Sequence, residues 1–352
     1  MIRAAKREER DYLVKCLNDA AQLRVEDMWN FNAEESLGLG RYASVLTARR
    51  KDTSYFESRE QSSTPESKNE GNKYALKIVD KNEFWRRVVK GKERSDTLVR
   101  ELSVQSTMTA KCGRIQTFLK LTSFFETSNH VVMELELLEG MDLFRYVSMK
   151  GMLEEAEAAL IIEDILKTLD AMNRIGLVHR DIKPANILMC DRERDGVSIK
   201  VGDFGMATFV GVDGLVRGRC GTPGYVAPEI LKTSAGVGYG NQIDVFSAGI
   251  TLYILLCGYE PYYGETEKAL IEANTRAAIE FPESDWRTVS HEARDLIRKM
   301  TKADPNERIN TREALKHPWI TRLGSKQADA TSESNIHLAS SNAPEAGSCS
   351  IS

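Results

Sequence analysis

The stretch VHRDIKPANILM, residues 178–189, is the most informative part of the chain. It brings an aspartate (Asp181), a lysine (Lys183) and an asparagine (Asn186) into one short loop ahead of a hydrophobic strand, and a second carboxylate, Asp203, follows in VGDFG. A base, a cation, an amide and a second carboxylate are the groups that in-line phosphoryl transfer from Mg-ATP requires. Any one of them alone would be an ordinary loop or capping residue. The four together predict a phosphoryl-transfer site.

The composition is that of an ordinary globular chain. Its 352 residues carry 48 basic and 52 acidic side chains, a formal net charge of -4, and 41% of them are hydrophobic. The length allows one large domain or two smaller ones. The near balance of charge predicts no nucleic-acid partner, and no uncharged apolar run approaches the roughly 20 residues of a membrane helix. Six scattered cysteines without a CxxC pair predict reduced thiols in a cytoplasmic protein, rather than a zinc site or a disulfide framework.

The catalytic-loop stretch and VGDFG resemble the eukaryotic-type protein kinase family, of the serine/threonine type. The resemblance covers residues 36–322, and LYILLCGYEPYYGETEKAL and DLIRKMTKADPNERINTREALKHPWI are similar to the calcium/calmodulin-dependent protein kinase group. It implies an α+β, bilobal fold with a small β-rich N-lobe containing one main helix, a larger mainly helical C-lobe and a nucleotide cleft. The predicted divisions are an N-terminal helical extension over 1–33, an N-lobe over 34–138 with a flexible insertion over 51–73, a C-lobe over 139–322 and a disordered tail over 323–352.

The resemblance implies a role for each polar group of the loop. Asp181 orients the substrate hydroxyl and accepts its proton, and Lys183 neutralises the transferring phosphoryl group. A lysine two residues after the aspartate is typical of serine/threonine rather than tyrosine kinases. Asn186 and Asp203 hold Mg²⁺, for which amide and carboxylate oxygens are suitable ligands. The expected cofactors are therefore ATP and Mg²⁺, and the expected reaction is transfer of the γ-phosphate to Ser or Thr hydroxyls of protein substrates.

Two N-lobe features are expected to bind the nucleotide. SLGLGRYASV, residues 36–45, has the spacing of a kinase Gly-rich loop, GxGxxGxV, except that Ala43 replaces the third glycine. Lys77 lies in the apolar strand KYALKIVD, where an unpaired ammonium would be costly. By resemblance it contacts nucleotide phosphates and pairs with Glu101 of the following helix. One turn later Gln105 replaces a usual apolar residue, and it either loosens the active arrangement or bonds a neighbouring backbone group.

The residues that the resemblance places around ATP lie on strands and connecting loops of both lobes. They are Leu37, Gly38, Gly40, Val45, Ala75, Lys77, Glu136, Leu138, Asp142 and Leu188. Asp142 has two interpretations, which the sequence leaves open. Its carboxylate bonds the ribose or a basic residue of the substrate, or it is an N-terminal helix carboxylate favoured by the helix dipole.

Other residues are expected to support the catalytic loop. By resemblance, His179 has a structural role beneath Phe204, and Asp244 anchors the loop from a core helix. Glu229 and Arg308 match a buried ion pair of the large lobe, and a buried guanidinium requires such a partner.

The stretch MATFVGVDGLVRGRCGTPGYVAPE, residues 206–229, resembles a kinase activation segment. Thr222 fits the threonine that contacts the catalytic aspartate and lysine. Between residues 210 and 221 there is no Ser, Thr or Tyr, so Arg180 has no obvious phosphate to bind. The sequence therefore predicts activity without activation-loop phosphorylation.

Substrate preference is expected to be mild. Basic-directed kinases often carry two acidic positions for substrate arginine, and these positions hold Ala185 and Ile254 here. Asp142 is the acidic position that remains, which predicts a modest preference for arginine upstream of the target.

The C-terminal CSIS fits a C-a-a-X farnesylation pattern at Cys349, although Ser350 is not aliphatic and such matches also arise by chance. Membrane association is expected only if Cys349 is prenylated.

The sequence is compatible with three functions. An active serine/threonine protein kinase is the leading interpretation. A pseudokinase scaffold that binds nucleotide or partners without turnover is favoured by Ala43 and Gln105, but the intact catalytic and metal-binding positions argue against it. A small-molecule kinase is disfavoured by GTPGYVAPE, because the family uses this segment to dock a polypeptide.

Overall fold

The chain folds into two compact units. The first comprises the chain up to Arg114 together with Leu119–Glu139, and the second comprises Ile115–Phe118 together with the chain from Gly140 onward. The computed structural model describes residues 24–51, 73–190, 197–232 and 237–323. In these residues the first unit is built on a β-sheet and the second is mainly helical. The predicted α+β class, with a β-rich N-lobe and a helical C-lobe, is confirmed.

Several predictions concern residues outside the described ranges. They are the helix before residue 24, the insertion over 51–73 except for its two end residues, the farnesylation of Cys349 and the disordered tail. Each of these stays a prediction. Among the described residues, no helix combines the length and the apolar character needed to cross a membrane.

The N-lobe contains a five-stranded antiparallel sheet of order β1-β2-β3-β5-β4. Its elements are α1 (Val25–Met28), β1 (Trp29–Leu39), β2 (Ala43–Arg50), β3 (Lys73–Asp80), α2 (Lys81–Val89), α3 (Thr97–Cys112), β4 (Leu121–Glu126) and β5 (His130–Glu136). Strand β3 is central and buries Leu76 and Val79. It passes directly into α2 because the Asp80 carboxylate accepts hydrogen bonds from the backbone N–H groups of Asn82 and Glu83.

The sheet begins earlier in the chain than the sequence predicts. Trp29 is 2% exposed, shares a core cluster with Val25 and Leu76, and stacks on Phe125 with the ring centroids 4.7 Å apart. The predicted boundary between residues 33 and 34 therefore falls inside β1. Burial of a large indole against the sheet extends the strand toward the N-terminus, whereas the recognisable motif starts only at the Gly-rich stretch.

The C-lobe is organised by two long helices. Its elements are α4 (Leu143–Lys150), α5 (Glu155–Arg174), β6 (Leu177–Val178), β7 (Ile187–Met189), β8 (Ile199–Val201), β9 (Thr208–Phe209), α6 (Pro228–Lys232), α7 (Gln242–Cys257), α8 (Glu267–Arg276), α9 (Glu283–Trp286), α10 (His291–Met300) and α11 (Thr311–Leu315). Helix α7 is apolar on all sides, and every residue from Ile243 to Cys257 is buried. Two short ribbons, β6 with β9 and β7 with β8, carry the polar loops that follow.

Candidate active site

In the N-lobe, Lys77 and Glu101 form an ion pair. Lys77 lies in the middle of β3, between Val45 on β2 and Met133 on β5. Its ammonium Nζ donates a hydrogen bond to Oε1 of Glu101 on α3. The Glu101 side chain is 3% exposed, so the buried carboxylate has the cation that it requires.

The Gly-rich loop is a tight turn between β1 and β2. Gly38 lies opposite Val45, and the Gly40 N–H donates to the Ala43 carbonyl oxygen over 2.7 Å. Among the described residues, the non-glycine residues with a positive φ are Arg180, Asp203 and Ala277, so Ala43 has an ordinary backbone conformation. The third position of the motif therefore does not require glycine in this chain.

Gln105 forms the backbone hydrogen bond that was one of its two predicted alternatives. The side chain is buried in α3, and its Nε2 donates to the carbonyl oxygen of Leu119 over 3.3 Å. A buried amide with a partner avoids most of the desolvation cost of an unpaired one. The bond joins the helix that carries Glu101 to the chain segment just before β4.

In the C-lobe, three side chains converge on the Asp181 carboxylate. Oδ1 accepts a hydrogen bond from Oγ1 of Thr222 at 2.7 Å. Oδ2 accepts from Nζ of Lys183 and from Nδ2 of Asn186, both at 2.9 Å. Lys183 also donates to the Thr222 hydroxyl over 2.7 Å, which closes a small network. The Pro184–Asn186 turn returns the chain toward Asp181 and so makes the network possible.

The network keeps Asp181 ionised. Burial opposes ionisation of this carboxyl, but the hydrogen bonds from Lys183, Thr222 and Asn186 outweigh it and hold the pKa of Asp181 below its usual range. At neutral pH the group is therefore a carboxylate that is oriented by its donors and available to accept a hydrogen bond from a hydroxyl.

Asn186 and Asp203 lie at the same end of the β7–β8 ribbon. Ile187 pairs with Val201, so Asn186 precedes this pair on one strand and Asp203 follows it on the other. Asp203 is exposed and has a left-handed backbone with φ 53°, and one of its oxygens accepts from Gly205 N–H at 3.3 Å. The ribbon thus presents one amide and one carboxylate, both suitable for a hard cation.

Asp244 of α7 binds the backbone at the start of the loop that carries Asp181. Its two oxygens accept the backbone N–H groups of His179 at 2.7 Å and Arg180 at 2.8 Å. Burial raises the pKa of the Asp244 carboxyl, and the two N–H donors oppose that rise. Arg180 has a left-handed backbone with φ 70°. The His179 ring lies against Phe204, with the centroids 5.2 Å apart, and contacts the Gly202 carbonyl through Nε2 at 3.1 Å.

Comparison with known proteins identifies this arrangement. The protein kinase domain matches residues 61–320 of the chain. Myosin light chain kinase A of Dictyostelium discoideum is 32% identical over 296 residues, which cover 84% of this chain and 89% of that protein.

The chain belongs to the protein kinase family.

Two further relatives indicate the group. Calcium/calmodulin-dependent protein kinase type 1 of Macrobrachium nipponense is 36% identical over 265 residues, covering 75% of this kinase and 70% of the relative. Calcium-dependent protein kinase 29 of Arabidopsis thaliana is 37% identical over 254 residues, covering 72% of this kinase but 45% of the relative. The kinase thus spans less than half the length of that plant protein. The predicted family, its serine/threonine class and its likeness to the calcium/calmodulin-dependent group are confirmed.

Arg180 of the kinase donates to the backbone of the activation segment. Its Nε bonds the Met206 carbonyl oxygen at 2.7 Å, and a terminal guanidinium nitrogen bonds the Arg217 carbonyl oxygen at 3.4 Å. The segment is also tied down by Tyr239, which pairs with Val216 through the backbone and donates its hydroxyl to the Gly218 carbonyl oxygen over 2.6 Å. Arg180 and Tyr239 thus donate to three carbonyl oxygens of the segment, those of Met206, Arg217 and Gly218.

Glu229 and Arg308 form a two-point ion pair beneath the activation segment. The guanidinium donates to both carboxylate oxygens, at 2.7 and 3.0 Å. Its remaining donors bond the carbonyl oxygens of Gln242 and Lys302, both at 2.9 Å. The Arg308 side chain is 0% exposed, so these partners are essential to its burial.

The remaining predicted ATP-binding residues lie on the two units as follows. The N-lobe contains Leu37 on β1, Ala75 on β3, Glu136 at the end of β5 and Leu138 just after it. The C-lobe contains Asp142 and Leu188. The Glu136 carboxylate accepts from Lys120 N–H at 2.7 Å. The Asp142 carboxylate caps α4 by accepting from Arg145 N–H at 2.8 Å, as its second interpretation predicts, and its backbone bridges to Leu188.

Sequence reasoning missed a buried asparagine that supports the GTPGYVAPE segment, residues 221–229. Asn274 of α8 is fully buried, accepts from Gly224 N–H at 3.1 Å and donates to the Val226 carbonyl oxygen over 2.9 Å. Nearby, the Ser247 hydroxyl donates to the Tyr225 carbonyl oxygen over 2.8 Å. The available signal was weak, since asparagine is merely a poor residue for a helix interior.

Removing one donor from Asp181 should change the pH dependence of the kinase. In a Thr222→Val variant, the ionised form of Asp181 loses one hydrogen bond, so its pKa rises. We expect the acidic limb of the kcat profile to move to higher pH and kcat at neutral pH to fall about tenfold. Initial rates measured from pH 4 to pH 8 test this. Thr222→Ser keeps a hydroxyl and should resemble wild type, whereas an unmoved limb in Thr222→Val would contradict the assigned contact.

Proposed function

We propose that the kinase transfers the γ-phosphate of ATP to Ser or Thr hydroxyls of protein substrates, with Asp181 as the residue that accepts the hydroxyl proton. The observation that carries this proposal is the Asp181 carboxylate, whose ionised form is favoured by hydrogen bonds from Thr222, Lys183 and Asn186. Lys183, bonded to both Asp181 and Thr222, offers a positive charge beside the position of the acceptor. These are positioning and electrostatic contributions, which dominate phosphoryl transfer.

The residues present fit Mg-ATP. The amide nitrogen of Asn186 is engaged with Asp181, which leaves the amide oxygen as its ligand atom, and Asp203 is exposed with a carboxylate oriented by a short turn. We propose that these two residues hold Mg²⁺ and that Lys77, oriented by Glu101, contacts nucleotide phosphates. When bound, the ion offsets phosphate charge as it develops during transfer.

We further propose that activity does not depend on phosphorylation of the activation segment. The support is that Arg180 already donates to two segment carbonyls and that residues 210–221 offer no acceptor hydroxyl. Treatment of the purified kinase with a broad phosphatase should change its specific activity by less than about twofold, since no phosphate contact is lost. A stoichiometric activating phosphate between Asp203 and Thr222, found by mass spectrometry, contradicts this proposal.

The alternative, a pseudokinase scaffold, was favoured by two departures from the family pattern, Ala43 and Gln105, and their conformation and contacts weaken it. Ala43 has an ordinary backbone conformation, and Gln105 is hydrogen-bonded. Neither disturbs the Lys77–Glu101 pair. Transfer of radiolabelled phosphate to a basic peptide distinguishes the two functions.

The proposed upstream-arginine preference rests on Asp142, whose carboxylate is already a helix cap but keeps a second oxygen for a ligand. Equal phosphorylation of array peptides with and without upstream arginine would contradict this preference.

Cytoplasmic location and the absence of a nucleic-acid partner remain proposals from composition, to be tested by fractionation of cells that express the kinase.

A further inference from the structure

Glu260 lies beside the substrate-docking segment. It follows α7 in the stretch CGYEPYY, and its side chain is exposed. Its Oε1 accepts a hydrogen bond from the hydroxyl of Tyr225 at 2.9 Å. Tyr225 belongs to GTPGYVAPE, so this bond ties an exposed carboxylate to the segment that docks the polypeptide.

Tyr225 lies in one hydrogen-bonded turn with Thr222. Its backbone N–H donates to the Thr222 carbonyl oxygen over 3.1 Å, which closes a turn, and its own carbonyl oxygen accepts from Ser247. Thr222 in turn bonds Asp181. A short chain of fixed contacts therefore connects Glu260 to the carboxylate that faces the phosphoacceptor.

The electrostatics of Tyr225 agree with this placement. Burial raises the pKa of the Tyr225 hydroxyl, and the negative charges of Glu260 and, more weakly, Asp181 raise it further. One phenol thus lies within electrostatic range of both carboxylates.

Glu260 is not neutralised by its surroundings. Within the described ranges, no lysine, arginine or histidine lies at ion-pair distance from its carboxylate. One oxygen is held by Tyr225, and the exposed group keeps acceptor capacity for a further donor. A fixed, exposed carboxylate without a cation is suited to bind the guanidinium of an approaching peptide.

We propose that Glu260 is a specificity-determining residue that binds an arginine of the polypeptide substrate, close in sequence to the phosphoacceptor. The inference rests on the proposed kinase function and names a substrate class for the same site. Ala185 and Ile254 leave two acidic positions empty, and Glu260 supplies a carboxylate from the loop after α7 instead. The Tyr225 N–H bond to the Thr222 carbonyl oxygen places both residues in one turn, so the test varies the position of the arginine on both sides of the acceptor.

The experiment compares peptides that differ in one residue. Each has a single acceptor serine in an alanine-rich background, with arginine placed in turn at every position from four before to four after the serine. Wild-type kinase, Glu260→Gln and Glu260→Lys are assayed for kcat/KM. Glu283→Gln, an exposed glutamate at the start of α9, is the matched control.

We expect wild type to prefer arginine at one or two positions about tenfold, the size of one hydrogen bond between charged groups. Glu260→Gln should lose this preference through a higher KM for the arginine peptide. Its rate on the all-alanine peptide should stay within about twofold of wild type. The peptide position at which it loses the preference should differ from the position affected by Asp142→Asn. Glu260→Lys should prefer glutamate at the same position, and Glu283→Gln should behave as wild type. Tyr225→Phe, which releases the positioned carboxylate, should raise KM for the arginine peptide more than it lowers kcat.

Two results would overturn the proposal while leaving the kinase function intact. Glu260→Gln could retain the full arginine preference, or it could slow all peptides equally, as a purely structural residue would. If wild type phosphorylates no peptide, the proposed function itself fails. Binding of fluorescent arginine and alanine peptides to wild type, in the presence of a non-hydrolysable ATP analogue, then tests Glu260 separately, and equal binding of both peptides overturns its assignment.

Discussion

Asp181→Asn should reduce phosphate transfer from Mg-ATP to a serine peptide by about a thousandfold, within the range that a positioned proton acceptor contributes. The amide is nearly isosteric with the carboxylate, but it lacks the negative charge and turns a donor toward Lys183 or Thr222. The network of Thr222, Lys183 and Asn186 around this position is thereby weakened as well. Radiolabelled phosphate transfer, measured at saturating ATP, gives the ratio directly.

Two controls separate chemistry from folding in this experiment. ATP binding by the variant, measured by calorimetry, should stay within about threefold of wild type, because the side chains that bond the Asp181 carboxylate, Thr222, Lys183 and Asn186, are not among the residues predicted to bind ATP. Asp304→Asn changes an exposed aspartate of a C-lobe turn and should leave activity unaltered. Equal activity of wild type and Asp181→Asn would remove Asp181 from the reaction. Transfer by neither protein, with ATP still bound, would favour the scaffold.

Arg308→Met should lower the free energy of unfolding by about 3–5 kcal/mol, because it removes the guanidinium that donates to both oxygens of the largely buried Glu229 carboxylate. The carbonyl oxygens of Gln242 and Lys302 also lose their donor. Urea unfolding followed by circular dichroism should show a lower midpoint for this variant.

The matched control is Arg322→Met, which removes a pair of similar chemistry at the surface. Arg322 and Glu292 are 49% and 44% exposed, and such pairs contribute less than about 1 kcal/mol. A double variant, Arg308→Met with Glu229→Met, should recover part of the loss, since it also removes the carboxylate that faced the lost guanidinium. Equal midpoints for Arg308→Met and Arg322→Met would show that the buried pair is not a major support of the lobe.

The polar loop could be predicted in detail because its groups are close in sequence. Asp181, Lys183 and Asn186 lie within six residues, and one short turn is enough to bring two donors onto one carboxylate oxygen. The family pattern then named partners from distant segments, and the structure has contacts at those places. His179 lies against Phe204, and Asp244 bonds the backbone at the start of the loop.

Other features depended on partners that no local pattern specifies. For Gln105 the sequence left two alternatives, and the choice rests on a carbonyl group 14 residues away, at Leu119. The predicted boundary between residues 33 and 34 falls inside β1, because Trp29 stacks on Phe125 of another strand and so belongs to the sheet. In both cases packing, rather than local propensity, decides the outcome.

The sequence by itself determined the family, the α+β class and the positions of the chemical groups, because motif spacing and hydrophobic periodicity are properties of short segments. Only the tertiary structure decided how these groups are satisfied: Arg180 by activation-segment carbonyls, Asn274 by the backbone around Tyr225, and Glu260 by the Tyr225 hydroxyl. Each of these bonds joins residues at least 26 positions apart. Buried polar groups must find partners wherever folding brings donors and acceptors together, and that pairing is set by the packing of whole elements.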